Sequence, residues 1–180
     1  MIENMTREKL IDRIKTLAVL HGDFTLRSGR KSRYYIDKYR FETQPDVLSA
    51  LGKLFAKHVD DGVDRIAGPE LGAVCLAAAA AMEAKKPFVM VRKAAKEYGT
   101  TKRIEGVLNA GERVLIVEDI LTTGGAVLEA ARSLTEAGAK IVKIVGVLDR
   151  LEGARQNIEA AGFEMDALFT VTDLGIDGPH

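Results

Sequence analysis

The chain has 180 residues, of which 47% are hydrophobic and 29% are charged, as in an ordinary globular protein. Lysine plus arginine and aspartate plus glutamate both number 26, so the formal net charge is zero. This balance argues against a protein that coats nucleic acid or a membrane surface. The N-terminal segment MIENMTREKL lacks the apolar core of a signal peptide, and no run approaches the roughly 20 apolar residues that span a bilayer.

The first third of the chain predicts two helices with a polar stretch between them. Thr6 can cap a helix that runs to about Leu20, with Gly22 as its stop. Residues 24–45 are polar and basic, and they alternate enough to suggest short strands. Pro45 then opens a second helix. The apolar stripe of that helix consists of Val47, Leu48, Leu51, Leu54, Phe55 and Val59.

A regular alternation of strands and helices begins at Val63. The predicted strands are Val63–Ala67, Phe88–Val91, Val114–Glu118, Ile141–Leu148 and Ala167–Val171, and the predicted helices are Leu71–Ala84, Ala126–Ala137 and Gln156–Ala161. Strands rich in valine and isoleucine, separated by helices, predict an α/β fold with a parallel sheet flanked by helices. In such sheets ligands bind at the carboxyl ends of the strands.

The single cysteine, Cys75, lies in the apolar run Ala73–Met82. A chain with one cysteine forms no internal disulfide, which suits a reducing compartment. We therefore expect a cytoplasmic protein in which Cys75 acts as a small buried hydrophobic residue.

The strongest signal is the segment Val114–Ala126, VLIVEDILTTGGA. A predicted buried strand ends in two adjacent carboxylates, Glu118 and Asp119, and a turn with two hydroxyls and two glycines then enters a helix. The N–H groups and hydroxyls of Thr122–Ala126 can converge on one point, where the helix N-terminus favours an anion. The glycines let the backbone approach a phosphate closely.

This turn matches neither the Walker phosphate loop nor the dinucleotide pattern. Two carboxylates beside an anion site offer acceptors to vicinal sugar hydroxyls, so the whole string indicates a site for ribose 5-phosphate. The alternative to a binding site is a capped helix after a strand, with acids exposed to solvent. That alternative would explain the two glycines alone, but it does not explain the whole string.

The string of hydrophobic residues, two acids, two further residues and Thr-Thr-Gly-Gly is similar to the phosphoribosyl diphosphate motif of the type I phosphoribosyltransferases. The resemblance implies the type I phosphoribosyltransferase fold, an α/β fold with a parallel sheet flanked by helices and a small N-terminal hood. It also implies that the acids contact the ribose hydroxyls and that the turn holds the 5-phosphate. We expect one domain over residues 1–180, with the hood formed mainly by about residues 1–45.

Further segments resemble one branch of that family, the orotate phosphoribosyltransferases, over nearly the whole chain. They are the hood segment Phe24–Gly29 with Ser32, Tyr34 and Tyr35, the diphosphate loop Ala67–Gly72, the mobile catalytic loop Arg92–Gly99, and the orotate-binding strand end Leu148–Arg150. The resemblance implies transfer of ribose 5-phosphate from phosphoribosyl diphosphate to orotate. The products would be orotidine 5′-phosphate and diphosphate, in pyrimidine biosynthesis.

The resemblance also assigns roles to residues. Lys96 is expected to be the main catalytic cation, with Arg92 beside it, because cations stabilise a departing diphosphate. The residues expected to bind phosphoribosyl diphosphate are Arg27, Arg92, Lys93, Lys96, Tyr98, Glu118, Asp119, Ile120, Leu121, Thr122, Thr123, Gly124, Gly125 and Ala126. Those expected to bind orotate are Thr122, Arg150, Tyr34 and Tyr35, with Arg150 clamping the carboxylate. Without the resemblance, the basic loop would be a solvated charge run and Arg150 a surface arginine.

The resemblance implies Mg²⁺ held largely by substrate oxygens and water. His21, His58 and His180 show no metal-ligand spacing, so we expect no built-in metal site. In the resembled family the mobile loop reaches the neighbouring subunit's site, which implies a homodimer with shared active sites.

Four residues depart from the family pattern. Tyr98 stands where many members have a histidine, and a phenol is not a cation near neutral pH. Glu70 and Leu71 replace a tyrosine–lysine pair in a loop that is one residue shorter, which puts side-chain contacts to diphosphate there in doubt. Arg27 replaces a lysine, and the two cations differ in geometry.

Two other functions remain open at this point. One is a purine-type phosphoribosyltransferase, against which Arg150 and the Arg92–Gly99 loop argue. The other is a non-catalytic regulator that senses phosphoribosyl diphosphate and binds an operator. A single predicted helix before the basic hood is too little for a helix-turn-helix domain, which argues against the regulator.

Overall fold

The computed structural model describes residues 5–25, 29, 31–94 and 103–177. Its N-terminal part consists of helix α1 (Arg7–Ala18), strands β1 (Val19–Thr25) and β2 (Lys31–Ile36), and the short helix α2 (Tyr39–Glu42). The two strands pair antiparallel, which confirms the prediction of short strands in this polar stretch. We call these four elements the hood.

Helix α1 begins as predicted and ends earlier than predicted. The Thr6 side chain caps it by accepting a hydrogen bond from the Lys9 N–H at 3.3 Å. The helix ends at Ala18 and not near Leu20, because Val19 already pairs with Ile36 in the hairpin. Gly22 lies inside β1 with an extended φ of 159°, so it is a strand residue and not a helix stop.

The remaining elements follow the predicted alternation with shifts of a few residues at their ends. They are α3 (Pro45–Ala56), β3 (Arg65–Pro69), α4 (Gly72–Ala84), β4 (Phe88–Val91), β5 (Ile104–Glu105), β6 (Arg113–Leu121), α5 (Gly125–Glu136), β7 (Lys140–Asp149), α6 (Ala154–Ala160), β8 (Met165–Thr170) and a 3₁₀ turn (Val171–Leu174). Strand β5 and helix α2 were not predicted, because two and four residues are too few to show a hydrophobic period.

A six-stranded sheet in the order β5-β4-β3-β6-β7-β8 forms the centre of the molecule. All its neighbouring strands are parallel except for β5, which pairs antiparallel with β4. The chain leaves β3 towards β4 and leaves β6 towards β7, which lie on opposite sides. The gap between the carboxyl ends of β3 and β6 is therefore the topological switch point, where open parallel sheets bind ligands.

Both faces of the sheet are covered, as the residues of β6 illustrate. Leu115 and Val117 are buried in the core shared with α1, α3 and α4. Val114 and Ile116 are buried in the core shared with α5 and α6. Because neighbouring strand residues point to opposite faces, this alternation confirms a parallel sheet flanked by helices.

Small residues let α4 lie close to the sheet and to α3. A Cβ atom on Gly68 of β3 would lie 2.7 Å from the Cβ of Ala77, and one on Gly52 of α3 would lie 3.0 Å from the Cβ of Ala79. The alanines of α4 face glycines on β3 and α3, and the small side chains on both sides permit this close approach. Cys75 on the same helix is half-buried, less than expected, and its thiol donates to the carbonyl of Gly72 at 3.0 Å.

Among the helices of the described residues, none combines the length and the apolar character that crossing a membrane requires.

Replacing Gly68 with alanine should destabilise the fold by at least about 2 kcal/mol, because the new methyl group would be forced against α4. Urea unfolding followed by circular dichroism measures this loss. Gly111→Ala is the matched control, since nothing lies within 4 Å of a Cβ there and only the positive φ of 85° opposes the substitution. The control should cost about 1 kcal/mol. A Gly68→Ala loss no larger than that of the control would contradict the close packing.

Candidate active site

A cavity of about 510 Å³ opens at the switch point of the sheet. Its walls come from the ends of three parallel strands and from the start of α5. The residues around it are Lys38, Pro69, Glu70, Val91, Arg92, Lys93, Arg103, Glu118, Asp119, Ile120, Leu121, Thr122, Thr123, Gly124, Gly125, Ala126, Val127, Glu129 and Ala130. We call this cavity the donor pocket. It brings together every described residue that was expected to bind phosphoribosyl diphosphate.

The two adjacent acids of the motif lie inside β6 and not at its end. The strand was expected to stop at Glu118, but pairing with β7 continues to Leu121, so Glu118 and Asp119 are 7% and 4% exposed. Each carboxylate accepts the N–H of the following residue: Glu118 that of Asp119 at 3.0 Å, and Asp119 that of Ile120 at 2.6 Å. A carboxylate oxygen has two lone pairs, so acceptor capacity remains for sugar hydroxyls.

Lys38 of the hood supplies the counter-charge for Asp119. Its ammonium group forms an ion pair and a hydrogen bond with Oδ2 of Asp119. Burial alone would lower the pKa of Lys38, but the negative charges of Asp119, Glu118 and Glu42 raise it above its ordinary value. Lys38 therefore stays charged at neutral pH and keeps a positive charge at the floor of the donor pocket.

The carboxyl group of Glu42 is also buried, and it interacts electrostatically with Lys38 and Asp119. Glu42 is 1% exposed, and neither of its oxygens has a hydrogen-bond partner among the described residues. Burial, reinforced by the charge of Asp119, raises its pKa from 4.5 to about 8, against the opposing effect of Lys38. Burial and the charge of Asp119 also raise the pKa of Glu118. At neutral pH the proton thus stays largely on Glu42, and burial favours the protonated form of Glu118 as well.

Gly72, the first residue of α4, allows the carboxyl groups of Glu42 and Asp119 to lie close together. A Cβ atom there would lie 2.8 Å from Oε2 of Glu42 and in still closer contact with Oδ2 of Asp119. The absence of a side chain at this position is therefore a condition for the arrangement of Glu42, Asp119 and Lys38.

The turn after β6 points the start of α5 at the pocket. Gly124 caps the helix with a φ of 81°, a conformation that glycine adopts without strain. The carbonyl of Thr123 accepts a hydrogen bond from Nδ2 of Asn157 at 2.8 Å, which ties the turn to α6. The N–H groups of the first turn of a helix have no partner within it, so this end is suited to bind an anion.

Cations lie across the pocket, at the ends of β4 and β5. Arg92 is half-buried and its Nη1 lies 3.8 Å from Oε1 of Glu105, whereas Lys93 is exposed. Glu70, at the end of β3, accepts the Lys93 N–H at 2.6 Å. The Glu70 carboxylate thus binds backbone and offers no cation to a diphosphate, in keeping with the departure noted in the sequence.

Arg150 and Tyr34 meet beside the pocket. The Arg150 Nη2 donates to the Tyr34 hydroxyl at 3.4 Å, and the guanidinium carbon lies 5.7 Å from the centre of the ring. The same Nη2 lies 3.0 Å from a Glu152 carboxylate oxygen. Tyr35 faces away, as alternate strand residues do, and its ring packs 5.6 Å from that of Phe24. The structure therefore brings Tyr34 to Arg150 and does not bring the Tyr35 ring there.

Three of the expected site residues, Arg27, Lys96 and Tyr98, lie outside the described residues. Lys38, Glu42 and Arg103 were missed by the sequence analysis although they lie at or beside the pocket. The one sequence signal near Glu42 was its neighbour Phe41, an apolar residue in a polar stretch. The structure buries both residues in the short helix α2. No sequence pattern links Lys38 to Asp119, 81 positions away.

Replacing Glu42 with glutamine should stabilise the protein increasingly as the pH rises from about 4.5 to 8. The folded protein holds a proton on Glu42 that the unfolded chain has released over this range, so wild-type stability falls with rising pH. The slope due to one such group is at most about 1.4 kcal/mol per pH unit. The glutamine amide carries no titrating proton, so the variant should lack this contribution.

Urea unfolding of both proteins at pH 4.5, 6, 7 and 8.5 measures the effect. The difference between them should be small at pH 4.5 and largest at pH 8.5. Parallel stability profiles over the whole range would contradict a buried, proton-holding Glu42.

Known proteins similar to this chain indicate its family. The family described as phosphoribosyl transferase domain matches residues 39–167. The orotate phosphoribosyltransferase of Methanocella arvoryzae is 48% identical over 167 residues, which cover 92% of this chain and 95% of the relative. That of Halobacterium salinarum is 50% identical over 157 residues, with 87% and 89% covered.

Solved structures extend the likeness to the fold. The orotate phosphoribosyltransferase of Mycobacterium tuberculosis H37Rv, in complex with 5-phospho-alpha-D-ribosyl 1-diphosphate, superposes with a TM-score of 0.80 at 31% identity. The superposition covers 94% of this chain and 99% of that one. The chain therefore has the type I phosphoribosyltransferase fold and belongs to the orotate phosphoribosyltransferase family.

Proposed function

We propose that the chain transfers ribose 5-phosphate from phosphoribosyl diphosphate to orotate, giving orotidine 5′-phosphate and diphosphate. The observation that carries the proposal is the donor pocket, where buried acids stand directly before a glycine turn and helix N-terminus. The acids provide acceptors for two sugar hydroxyls and the turn provides donors for a phosphate, the two features of a ribose 5-phosphate.

In this proposal the 5-phosphate binds to the turn Thr122–Ala126, and the ribose hydroxyls bind to Glu118 and Asp119. Ile120 and Leu121 lie in the chain between the acids and the turn, and they contact the sugar ring between its hydroxyls and its 5-phosphate. Lys38 supports the role of Asp119, because its ammonium group binds Oδ2 and holds the carboxylate in place at the pocket.

The diphosphate of the donor binds opposite, against Arg92 and Lys93. The family resemblance adds Arg27, Lys96 and Tyr98 to this group. Negative charge grows on the diphosphate as its bond to the anomeric carbon breaks, so cations there stabilise the transition state more than the bound substrate. We assign the main catalytic role to Lys96, with Arg92 as the second catalytic cation.

Orotate binds beside the contact between Tyr34 and Arg150, next to Thr122. Arg150 is largely buried, and its Nε has no hydrogen-bond partner among the described residues. This N–H is therefore a donor that the orotate carboxylate can use. Tyr34 covers the pyrimidine ring, and Tyr35 contributes through its backbone. A ring nitrogen of orotate loses its proton, to water or to the departing diphosphate, and forms a bond to the anomeric carbon while the bond from that carbon to the diphosphate oxygen breaks. The sugar has oxocarbenium character in the transition state.

We infer that Mg²⁺ enters with the diphosphate. The protein groups fit a metal carried in by the substrate, because Lys38 already neutralises Asp119, and Arg92 and Lys93 bring further positive charge to the opposite wall. Mg²⁺ takes oxygen ligands, which phosphates, hydroxyls and water supply. When bound, it would neutralise part of the diphosphate charge.

We further infer that residues 1–180 act as one functional domain that forms a cytoplasmic homodimer with shared active sites and binds neither nucleic acid nor membrane. The single cysteine supports a reducing compartment. The homodimer follows from the family resemblance, because in that family the loop after β4 reaches the neighbouring subunit's site.

The direct test mixes the purified protein with orotate, phosphoribosyl diphosphate and Mg²⁺ and follows the ultraviolet absorbance of orotate. Absorbance should fall only when all three components are present. Turnover of a purine base in place of orotate, or operator binding without turnover, would contradict the proposal.

Replacing Arg150 with alanine should raise the KM for orotate at least about tenfold, because a charge-assisted hydrogen bond to a carboxylate contributes roughly 1.5–3 kcal/mol. The KM for phosphoribosyl diphosphate should change much less. Arg13→Ala is the control. The Nε of Arg13 lies 3.0 Å from Oδ2 of Asp46, and neither residue lines the donor pocket. An equal loss for both substrates would contradict the orotate clamp.

Replacing Lys96 with alanine should lower kcat by orders of magnitude and leave the fold intact. Mixing this variant with Arg150→Ala should restore activity if the subunits share active sites, because a mixed dimer then holds one site with both Lys96 and Arg150. Random pairing predicts about a quarter of the wild-type number of intact sites. No recovery after mixing, in a preparation shown to exchange subunits, would contradict the shared site.

A further inference from the structure

Arg103 lies in the wall of the donor pocket, and its guanidinium group is engaged by three acceptors. Its Nε donates to the carbonyl of Arg92 at 3.2 Å, and its Nη2 donates to the carbonyl of Lys93 at 2.8 Å. The same Nη2 lies 2.9 Å from Oε1 of Glu129, one turn into α5. One side chain thus connects the end of β4 to the helix that follows the phosphate turn.

The segment that Arg103 holds lies beyond the ladder of the sheet. The pairing of β4 with β5 covers only Met90 and Val91. Past it, a backbone hydrogen bond runs from the Arg92 N–H to the Arg103 carbonyl at 2.7 Å, the one found there among the described residues. Arg103 therefore gives the Arg92 and Lys93 carbonyls the partners that a longer strand would have provided. Fixing these carbonyls fixes the backbone dihedrals that set the direction of the two side chains.

We propose that Arg103 is a positioning residue for phosphoribosyl transfer, which fixes the backbone of Arg92 and Lys93 against α5 and so holds their cations at the diphosphate. The inference rests on the proposed function, because the diphosphate role of Arg92 and Lys93 belongs to that proposal.

Two features separate positioning from direct binding of the diphosphate by Arg103. Its Nε and Nη2 donate to two carbonyls and a carboxylate, and the Glu129 carboxylate offsets its charge. The planar fork that reaches two carbonyls at once is specific to arginine, and a lysine would keep the charge without it. The part of the effect that passes through Arg92 should also disappear once Arg92 is removed.

Calorimetric titration with inorganic diphosphate and Mg²⁺ tests the inference without orotate. Arg103→Ala should weaken diphosphate binding about tenfold, or roughly 1.4 kcal/mol. Arg103→Lys should weaken it nearly as much. The double variant Arg92→Ala with Arg103→Ala should bind only slightly more weakly than Arg92→Ala alone. Arg13→Ala, which breaks an arginine–carboxylate ion pair with Asp46 outside the residues that line the pocket, is the control and should bind like the wild type.

Glu129 provides a matched pair of variants. Glu129→Gln and Glu129→Ala both remove a negative charge beside the pocket, but only glutamine keeps an oxygen that can accept from Nη2. Positioning therefore requires the alanine variant to bind diphosphate about threefold more weakly than the glutamine variant. Equal affinities would oppose it.

Steady-state kinetics supplies a readout that a merely structural role would not give. In Arg103→Ala the KM for phosphoribosyl diphosphate should rise about tenfold, while the KM for orotate should stay within about twofold. Wild-type affinity in Arg103→Lys, or additive losses in the double variant, would overturn positioning in favour of a direct cation. Should Arg103→Ala fail to fold, the lysine and Glu129 variants decide. A wild-type protein that binds diphosphate but does not consume orotate would contradict the proposed function alone.

Discussion

The negative charge buried in the middle of β6 is the constraint on which the rest of the site depends. Burying a carboxylate without a partner costs several kcal/mol, and this strand buries Glu118 and Asp119 side by side. The molecule meets the cost in two ways. Lys38 brings a positive charge to Asp119, and burial raises the pKa values of Glu118 and Glu42, which favours the neutral form of both carboxyl groups.

The hood is part of this solution and not a separate cover. It contributes Lys38 to the donor pocket and Tyr34 to the neighbourhood of Arg150, so each half of the site contains one hood residue. The sheet provides the other partners at the switch point between β3 and β6, where the chain turns to opposite sides. The donor and acceptor halves lie side by side because the Arg150 N–H donates to the Leu121 carbonyl at 2.9 Å, which joins the ends of β7 and β6.

The sequence was sufficient to predict the parallel sheet, its flanking helices and the motif Glu118–Ala126, because all of these depend on local patterns. Contacts between distant parts of the chain could not be predicted in the same way. Lys38 has the appearance of any solvated lysine until the fold brings it to Asp119. The strand was predicted to stop at Glu118 because charge commonly marks the end of a strand, whereas here the charge is buried. Gly22 resembled a helix stop because glycine commonly ends helices. Glycine is also tolerated in an extended strand, and the pairing of Val19 with Ile36 decides between the two.

The glycine at the start of α4 sets a limit on how the donor pocket can be redesigned. Any side chain at Gly72 would displace the carboxyl groups of Glu42 and Asp119 together, since a Cβ would lie in contact with both. A mutant library aimed at new sugar donors should therefore keep this position unchanged and vary the residues that face it. Positions 38 and 42 are the places where the charge under the ribose can be altered without moving the helix.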